Sequence, residues 1–472
     1  MKTRQFPEVT PAVLAALRAA VGPENVLTDA DSLALAASDE TEDLAFPPEV
    51  VVAPPSAESV SAVMRVASAH GIPVTPRGAG TGLSGGALAV CGGIVLSTKR
   101  LDRILEIDRK NLMAVVEPGV ITQVLQEAVE EVGLFYPPDP ASRGSCFIGG
   151  NLAECAGGPR AVKYGVTKDY VMGLEAVLPS GEVIRHGGKL LKNVTGYNVT
   201  QLLVGSEGTL AIITKIYLRL IPLPRHRTLM MAPFDDLAAC ARAVPAIMNA
   251  GLVPSVLEFL ERDAIRIAES HVGSTVPNDD AAAQLLIELD GNDEGVIARE
   301  AERVCEIVMA EGARDVVLAD TGAKMAELWK VRRAMGEAVK KVSVYKEEDT
   351  VVPRGELVTL LIGVKEIARR YGIRTVCYGH AGDGNLHVNI LKMDMSDEDW
   401  RDKLDPAIRE IFALTVSLGG TISGEHGIGW VQRDYLPIAF SRTEIDLMRA
   451  VKKAFDPQGI LNPAKILPDD TD

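Results

Sequence analysis

The stretch "CYGHAGDGNLHVNI", residues 377 to 390, sets two of the chain's seven histidines, His380 and His387, on either side of a glycine turn. Gly382-Asp383-Gly384 favours a tight reversal between two strands. Side chains alternate along an extended "NLHVNI", so His387 and Asn389 share a face, and the turn can fold His380 back beside them. One chemistry open to such a pair is metal ligation. "SGEHGIGW", residues 423 to 430, offers Glu425 and His426 in a loop bounded by glycines. Two histidines and a glutamate form the ligand set of several catalytic zinc sites that keep an open position. The plainer reading is a hairpin whose histidines fill cross-strand positions, since the H-x6-H spacing is no standard zinc pattern. On these residues alone both readings stand.

A second chemistry lies in "PRGAGTGLSGG", residues 76 to 86, which contains Gly80-x-Gly82-x-x-Gly85. A Rossmann site would need a helix opening directly behind this loop to hold a pyrophosphate. The following "ALAVCGGIVLS" is too short and too glycine-rich for one, although Asp102 sits near the place of a ribose-binding acid and keeps an NAD-dependent dehydrogenase as the lesser alternative. Backbone N–H groups of such a loop can still form a concave anion nest. The structural alternative is a tight turn. Further glycine loops at 144 to 158 ("GSCFIGGNLAECAGG") and 204 to 214 ("VGSEGTLAIIT") point to a large nucleotide with backbone wrapped along it.

Five stretches, "PRGAGTGLSGG", "GGNLAECAGG", "NVTGYNVTQLLVGSEGTLAIITK", "GHAGDGNLHVN" and "SGEHGIG", come in the order of the vanillyl-alcohol oxidase superfamily. Within it the chain resembles the FAD-linked D-2-hydroxy-acid dehydrogenases: the glycolate oxidase flavoprotein subunit, D-lactate dehydrogenases and D-2-hydroxyglutarate dehydrogenases. The likeness runs from about residue 45 to "NPAKIL". It implies an α+β protein in which a vanillyl-alcohol-oxidase-type FAD-binding domain is joined to a ferredoxin-like substrate (cap) domain and a C-terminal helical segment.

The resemblance also implies which residues hold FAD. They are Pro76, Arg77, Gly78, Ala79, Gly80, Thr81 and Gly82 of the first loop, then Asp139 and Ser142 of "PPDPAS". Gly149, Gly150, Asn151, Ala156, Gly157 and Gly158 follow, with Glu207 and Gly208 at the adenine end, Ile212 beside them, and Asn462 approaching from the C-terminus. Some relatives tether the flavin through a histidine in the first loop. This loop has none, so non-covalent FAD is expected. His380, His387 and Glu425 are implied as ligands of a divalent metal, zinc being the expected one, and His426 as the base.

Oxidising a 2-hydroxy acid removes a hydroxyl proton and sends the Cα hydrogen, as hydride, to flavin N5. A metal on the hydroxyl favours the alkoxide, and a neutral histidine can accept the proton near neutral pH. The alternative order, with His426 taking the Cα proton first, stays open. The substrate carboxylate needs a cation, for which Arg is suited. "ELWKVRRAMGEAVKK" reads as a helix with Arg332 and Arg333 near its middle, and Lys330, Lys340 and Lys341 could equally mark a solvated basic face. By resemblance Arg332 binds the carboxylate, Asn389 touches substrate and Lys346 holds a second carboxylate. Gly336 stands where 2-hydroxyglutarate-specific relatives carry a hydroxyl, which counts against a dicarboxylate.

The elements that must position these residues read coarsely from periodicity. Val50 to Val52 form a short strand, Ser56 caps a helix ending near Gly71, and "IPVTP" is the next strand before the glycine loop. Strand and helix signals alternate to "LIPLPRHR" near residue 220, in the manner of an α/β domain. "RTLMMAPF", "DDLAACARAVPAIMNAG", "AAQLLIELDG" and "EAERVCEIVMAEG" then repeat strand and helix twice, as in a ferredoxin-like sheet with helices on one face. The expected division is 1–45 as an N-terminal helical segment, 46–220 as the FAD domain, 221–420 as the substrate domain and 421–472 as a returning segment.

The chain's 472 residues exceed what one core usually supports. A net charge of −15 argues against nucleic acid or an anionic membrane as partner. No apolar run is long enough to span a bilayer, and "MKTRQFPEVTPAVL" lacks a signal-peptide core, so a cytoplasmic location is expected. The six scattered cysteines spell neither a zinc ribbon nor an iron–sulfur ligand set. Electrons must therefore pass to a partner such as an iron–sulfur subunit, an electron-transfer flavoprotein or a quinone-like carrier. The reading is an oxidoreductase that converts D-lactate, glycolate or D-2-hydroxyglutarate to the 2-oxo acid. A flavoprotein subunit that only relays electrons is the non-catalytic rival, though it would need neither the metal ligands nor His426.

Overall fold

The computed structural model describes residues 6–319 and 321–469, and the chain divides into two compact units. The first takes the chain up to Ala156, then Val166–Leu223, and again from Glu425 onward; the second takes Gly157–Gly165 and Pro224–Gly424.

In the first unit, α1 (Pro11–Val21) is started by the Thr10 hydroxyl accepting from Val13 N, with proline at its first position. β1 (Val26–Leu27), β2 (Val50–Val52), α2 (Ala57–His70), β3 (Val74–Arg77) and β4 (Ile94–Ser97) follow. Ser56 caps α2 and Gly71, at φ 63°, ends it, as the sequence indicates. The sheet order is β1-β2-β4-β3, with β2, β4 and β3 parallel. Val13, Leu17, Val60, Met64, Val74 and Ile94 share one core, so α1 belongs to this layer.

A second sheet combines β5 (Ile104–Asp108), β6 (Met113–Val116), β7 (Val171–Val177), β8 (Val183–Gly187) and β9 (Ile212–Arg219) in the order β5-β6-β9-β7-β8. It is antiparallel throughout. The expected strand–helix alternation thus holds only for the parallel layer, because β5–β6 and β7–β8 are joined by short turns that leave no room for a crossover helix. The returning segment bonds to β3: Val74 N donates to Ile460 O at 2.8 Å and Asn462 N to Val74 O at 2.7 Å.

The second unit runs β10 (His226–Phe234), α3 (Leu237–Asn249), β11 (Val256–Glu261), α4 (Arg262–Val272), β12 (Ala283–Gly291), α5 (Glu294–Ala310) and β13 (Val317–Ala319). It continues with α6 (Gly322–Val342), β14 (Tyr345–Val351), α7 (Leu357–Tyr371), β15 (Arg374–Gly379), β16 (Asn385–Leu391) and α8 (Asp397–Ser417). Its antiparallel sheet has the order β13-β10-β12-β11-β15-β16-β14. The first four strands are the ferredoxin-like arrangement; three more extend it. Helices on one face were expected, but both faces are covered. α4 and α6, which lie outside the ferredoxin repeat, bury Ala264, Ile265, Val331 and Met335 against Leu229, Met231, Leu260 and Leu286. The alternate residues Leu257, Phe259, Leu285 and Ile287 are equally buried, with α3, α5 and α7 packed along the sheet.

The turn between β15 and β16 depends on Gly384, at φ 86°, where a Cβ would collide with Val352 O. Gly372 after α7 has a similar φ of 66° but open space around its missing Cβ. Gly372→Ala should cost only the left-handed penalty of about 1–2 kcal/mol. Gly384→Ala should cost clearly more, read as the larger fall in urea midpoint; equal losses would show that the turn can give way.

Candidate active site

β3 ends at Arg77 and the chain passes through the glycine loop directly to β4, with no helix between. The helix N-terminus that a dinucleotide fingerprint needs is therefore missing here. What the loop presents is bare backbone. A Cβ on Gly78 would stand 3.8 Å from Gly150 Cα, so two glycine loops face one another, and nothing lies within 4 Å of a Cβ at Gly82 or Gly150. Gly149 is seated against Pro118, and Asn151 Nδ2 donates to Thr122 Oγ1 at 2.5 Å. Arg77 Nη2 donates to Ser38 O at 2.8 Å, while Nη1 is buried with no protein acceptor. Open backbone beside an unspent guanidinium donor fits the pyrophosphate of FAD.

The third loop joins this cradle through Gly208, at φ 65°, whose Cβ would stand 3.2 Å from Pro76 Cγ. Asn462 Nδ2 ties the returning segment to both loops, donating to Gly86 O at 3.0 Å and Glu207 O at 2.8 Å. Asp139 is buried and ion-paired to Arg143 at 3.4 Å, and Ser142 O accepts Ser145 N and Cys146 N, both at 2.8 Å. Ala156 O accepts Thr167 Oγ1 at 2.7 Å. Gly157 and Gly158 open the short segment assigned to the second unit. Ile212 is packed in the core with α1 and α2.

Glu207 also binds backbone of the returning segment. Its carboxylate accepts Ile428 N at 2.8 Å and Gly429 N at 2.6 Å, gripping the loop that follows His426. Burial pushes its pKa up to about 7 against these two bonds, and burial plus the Glu207 charge raises Glu154 well above the carboxylate range. A Cβ on Gly427 would run into both carboxyls, so only glycine fits there.

In the second unit, β16 lies between β14 and β15 in the registers Asp349↔His387↔Tyr378 and Glu347↔Asn389↔Val376. His387 and Asn389 do share a face, together with Tyr378, Glu347 and Asp349. Lys346 pairs with Ile390 and so belongs to the opposite face. The structure does not bring it to Asn389, because a one-residue step along a strand reverses the side; Glu347 occupies that place. Asn389 is fully buried and its amide makes no hydrogen bond of ordinary geometry, though it lies close enough to Tyr378 to offset part of the rise that burial gives that phenol.

His380 folds back beside His387, with ring centroids 5.3 Å apart and ring nitrogens within 4.8 Å. His380 Nδ1 is 2.6 Å from Glu258 Oε1. The other oxygen, Glu258 Oε2, accepts Arg332 Nε at 2.6 Å and also pairs with Nη2. Burial would raise Glu258, but Arg332 and His380 outweigh it and hold the carboxyl below its usual range. A carboxylate only accepts, so the bond at Oε1 is made by a proton on Nδ1, the tautomer in which a histidine's other nitrogen can serve a metal. That arrangement fits a divalent ion. Glu258 was not singled out from the sequence. Its signal was a charged residue within the apolar run "SVLEFL".

Arg332 is buried while Lys330, Arg333 and Lys341 on the same helix are exposed, so it stands apart from the basic face. Its guanidinium lies 5.3 Å above the Tyr378 ring. One turn on, a Cβ at Gly336 would stand 3.5 Å from the Tyr378 hydroxyl. Asp349 accepts Ser423 Oγ at 3.1 Å and Gly424 N at 2.8 Å, fixing the chain where the second unit ends. Glu425 and His426 follow directly as the first residues of the returning segment.

Among the described residues no helix is long and apolar enough to cross a membrane. Two family models match the chain, the FAD binding domain over residues 48–187 and the C-terminal domain of FAD linked oxidases over residues 223–466. Glycolate oxidase subunit GlcD of Bacillus subtilis is 42% identical over 451 residues, 95% of each chain. A D-lactate dehydrogenase of Anaerostipes hadrus is 39% identical, covering 89% of each. Among solved structures, p-cresol methylhydroxylase matches with a TM-score of 0.78 at 18% identity, covering 98% of this chain and 97% of that one, a likeness of fold. With both halves of the chain matched, it belongs to the FAD-linked oxidases and is an FAD-linked oxidoreductase.

Proposed function

We propose that the protein oxidises a D-2-hydroxy acid to the 2-oxo acid, with D-lactate first among the candidates, then glycolate and D-2-hydroxyglutarate. The observation that carries this reading is the buried His380–Glu258–Arg332 array beside His387 and Asn389, in a chain with an FAD binding domain. Bound FAD supplies a hydride acceptor. A divalent ion on His380, His387 and Glu425, zinc by the donor set, supplies Lewis acidity that lowers the pKa of the substrate hydroxyl.

The chain's own residues do the rest. Arg332 receives the substrate carboxylate on the guanidinium edge turned away from Glu258. Asn389, whose buried amide has donor and acceptor to spare, orients the substrate. His426 takes the hydroxyl proton. Gly336, one turn beyond Arg332, offers no side chain of its own, which favours a monocarboxylate over 2-hydroxyglutarate. The two electrons taken from the substrate would leave to a separate acceptor: an iron–sulfur subunit, an electron-transfer flavoprotein or a quinone-like carrier. The word subunit in the GlcD relative's name supports such a partner.

A panel of both enantiomers of these acids, assayed with an artificial dye, tests the reading; no turnover of any D-acid or glycolate would sink it. FAD should be released intact by acid or heat, since residues 76 to 86 contain no histidine; flavin remaining on the denatured polypeptide would refute non-covalent binding. Chelation should abolish dye reduction while FAD stays bound, and a divalent ion should restore it. Full turnover by protein shown metal-free by elemental analysis would remove the metal from the scheme. His426→Ala should keep metal and FAD but lose about 10²–10⁴-fold in flavin reduction rate by stopped flow. Glu425→Ala should lose metal affinity and be partly rescued by excess metal. The opposite pattern would exchange the two roles.

A further inference from the structure

Among the buried carboxylates that the ligand set and the acid–base group leave unassigned, Glu258 bonds both His380 and Arg332. We propose that Glu258 is a positioning residue that locks His380 and Arg332 into a single array, so that metal and substrate carboxylate are set by one anchor. The proposal rests on the functional reading above.

The geometry divides the two oxygens cleanly. Oε1 takes His380 Nδ1 at 2.6 Å; Oε2 takes Arg332 Nε at 2.6 Å and Nη2 beside it. A histidine ligand whose second nitrogen is held by a carboxylate has a fixed tautomer and ring orientation and is a stronger donor. The guanidinium is held at its Nε edge, which leaves Nη1 and the outer N–H of Nη2 for bidentate capture of a carboxylate. The anchor itself is firm. Glu258 is wholly buried on β11, and that strand is paired on both sides, by β12 and β15. One carboxylate opposite one guanidinium also cancels charge, so Arg332 acts on substrate through direction more than through net attraction.

Glutamine at 258 keeps the size but loses the second accepting oxygen, so one partner must be released. Zinc affinity, measured on FAD-loaded protein by competition with a fluorescent chelator, should fall about 10–100-fold in Glu258→Gln. KM for D-lactate should rise alongside. Glu288→Gln is the control: this carboxylate is buried in the same sheet but is bonded to Ser255 and Trp329, each at 3.3 Å, so zinc affinity should hold. Folded Glu258→Gln with wild-type zinc affinity would overturn the proposal, as would an equal loss in Glu288→Gln. If Glu258→Gln does not fold, Glu258→Asp decides by the same readings, because the shorter side chain can reach one partner only. Wild-type protein that binds no divalent ion would defeat the metal reading of function instead. The proposal would then be judged on KM alone, an unchanged value in Glu258→Gln overturning it.

Discussion

The register Asp349↔His387↔Tyr378 decides which side chains of the second unit can meet, because the pleat sends alternate residues to opposite faces. The polar side chains of the candidate site on these strands obey that parity. His387, Asn389, Glu347 and Tyr378 fall on one side with Glu258, while Val388 and Ile390 go to the other. A slip of one residue would bury the aliphatic set where the histidines are needed. The Gly382–Gly384 turn and the pairing of β16 on both edges exclude it.

Burying so many polar groups on one sheet face is costly unless each is bonded. Shared partners meet much of that cost, Glu258 serving His380 and Arg332 and Asp349 serving Asn385, Ser423 and Gly424, while the Asn389 amide stays unbonded. In the first unit the loops that face one another at Gly78 and Gly150 present backbone with no side chain at the point of approach. Glu207 then spends its carboxylate on backbone N–H groups of the returning segment.

Much of this was legible in the residues. The Gly-Asp-Gly hairpin, the shared face of His387 and Asn389, the Ser56 and Gly71 helix signals and the absence of a helix behind the first glycine loop follow from local chemistry, which local sequence encodes. The rest depended on partners far along the chain. Lys346 and Glu347 differ by one position, and only the pairing with Ile390 and Asn389 tells which side each takes. Glu258 lies 122 residues from His380, so no spacing could connect them. The engagement of Glu207 with Ile428 and Gly429 spans more than 200 residues in the same way. Helices on both faces of the second sheet arose because α4 and α6 are additions to a repeat that periodicity alone makes look complete.

The segment Gly157–Gly165 is flanked on both sides by chain of the first unit but belongs to the second. Lys163 Nζ lies 2.5 Å from Asp290 Oδ1, Tyr164 donates to Asp290 Oδ2 at 2.8 Å, and Val162 fills the space against Gly382. The second unit is thus not a cassette. Grafting residues 224–424 alone onto another flavin unit would strip Asp290 of its ammonium and phenol and uncover the hairpin that carries His380. A working chimera has to carry nine residues from the middle of the donor's flavin unit as well, which makes single-crossover recombination between such proteins a poor route to new substrates.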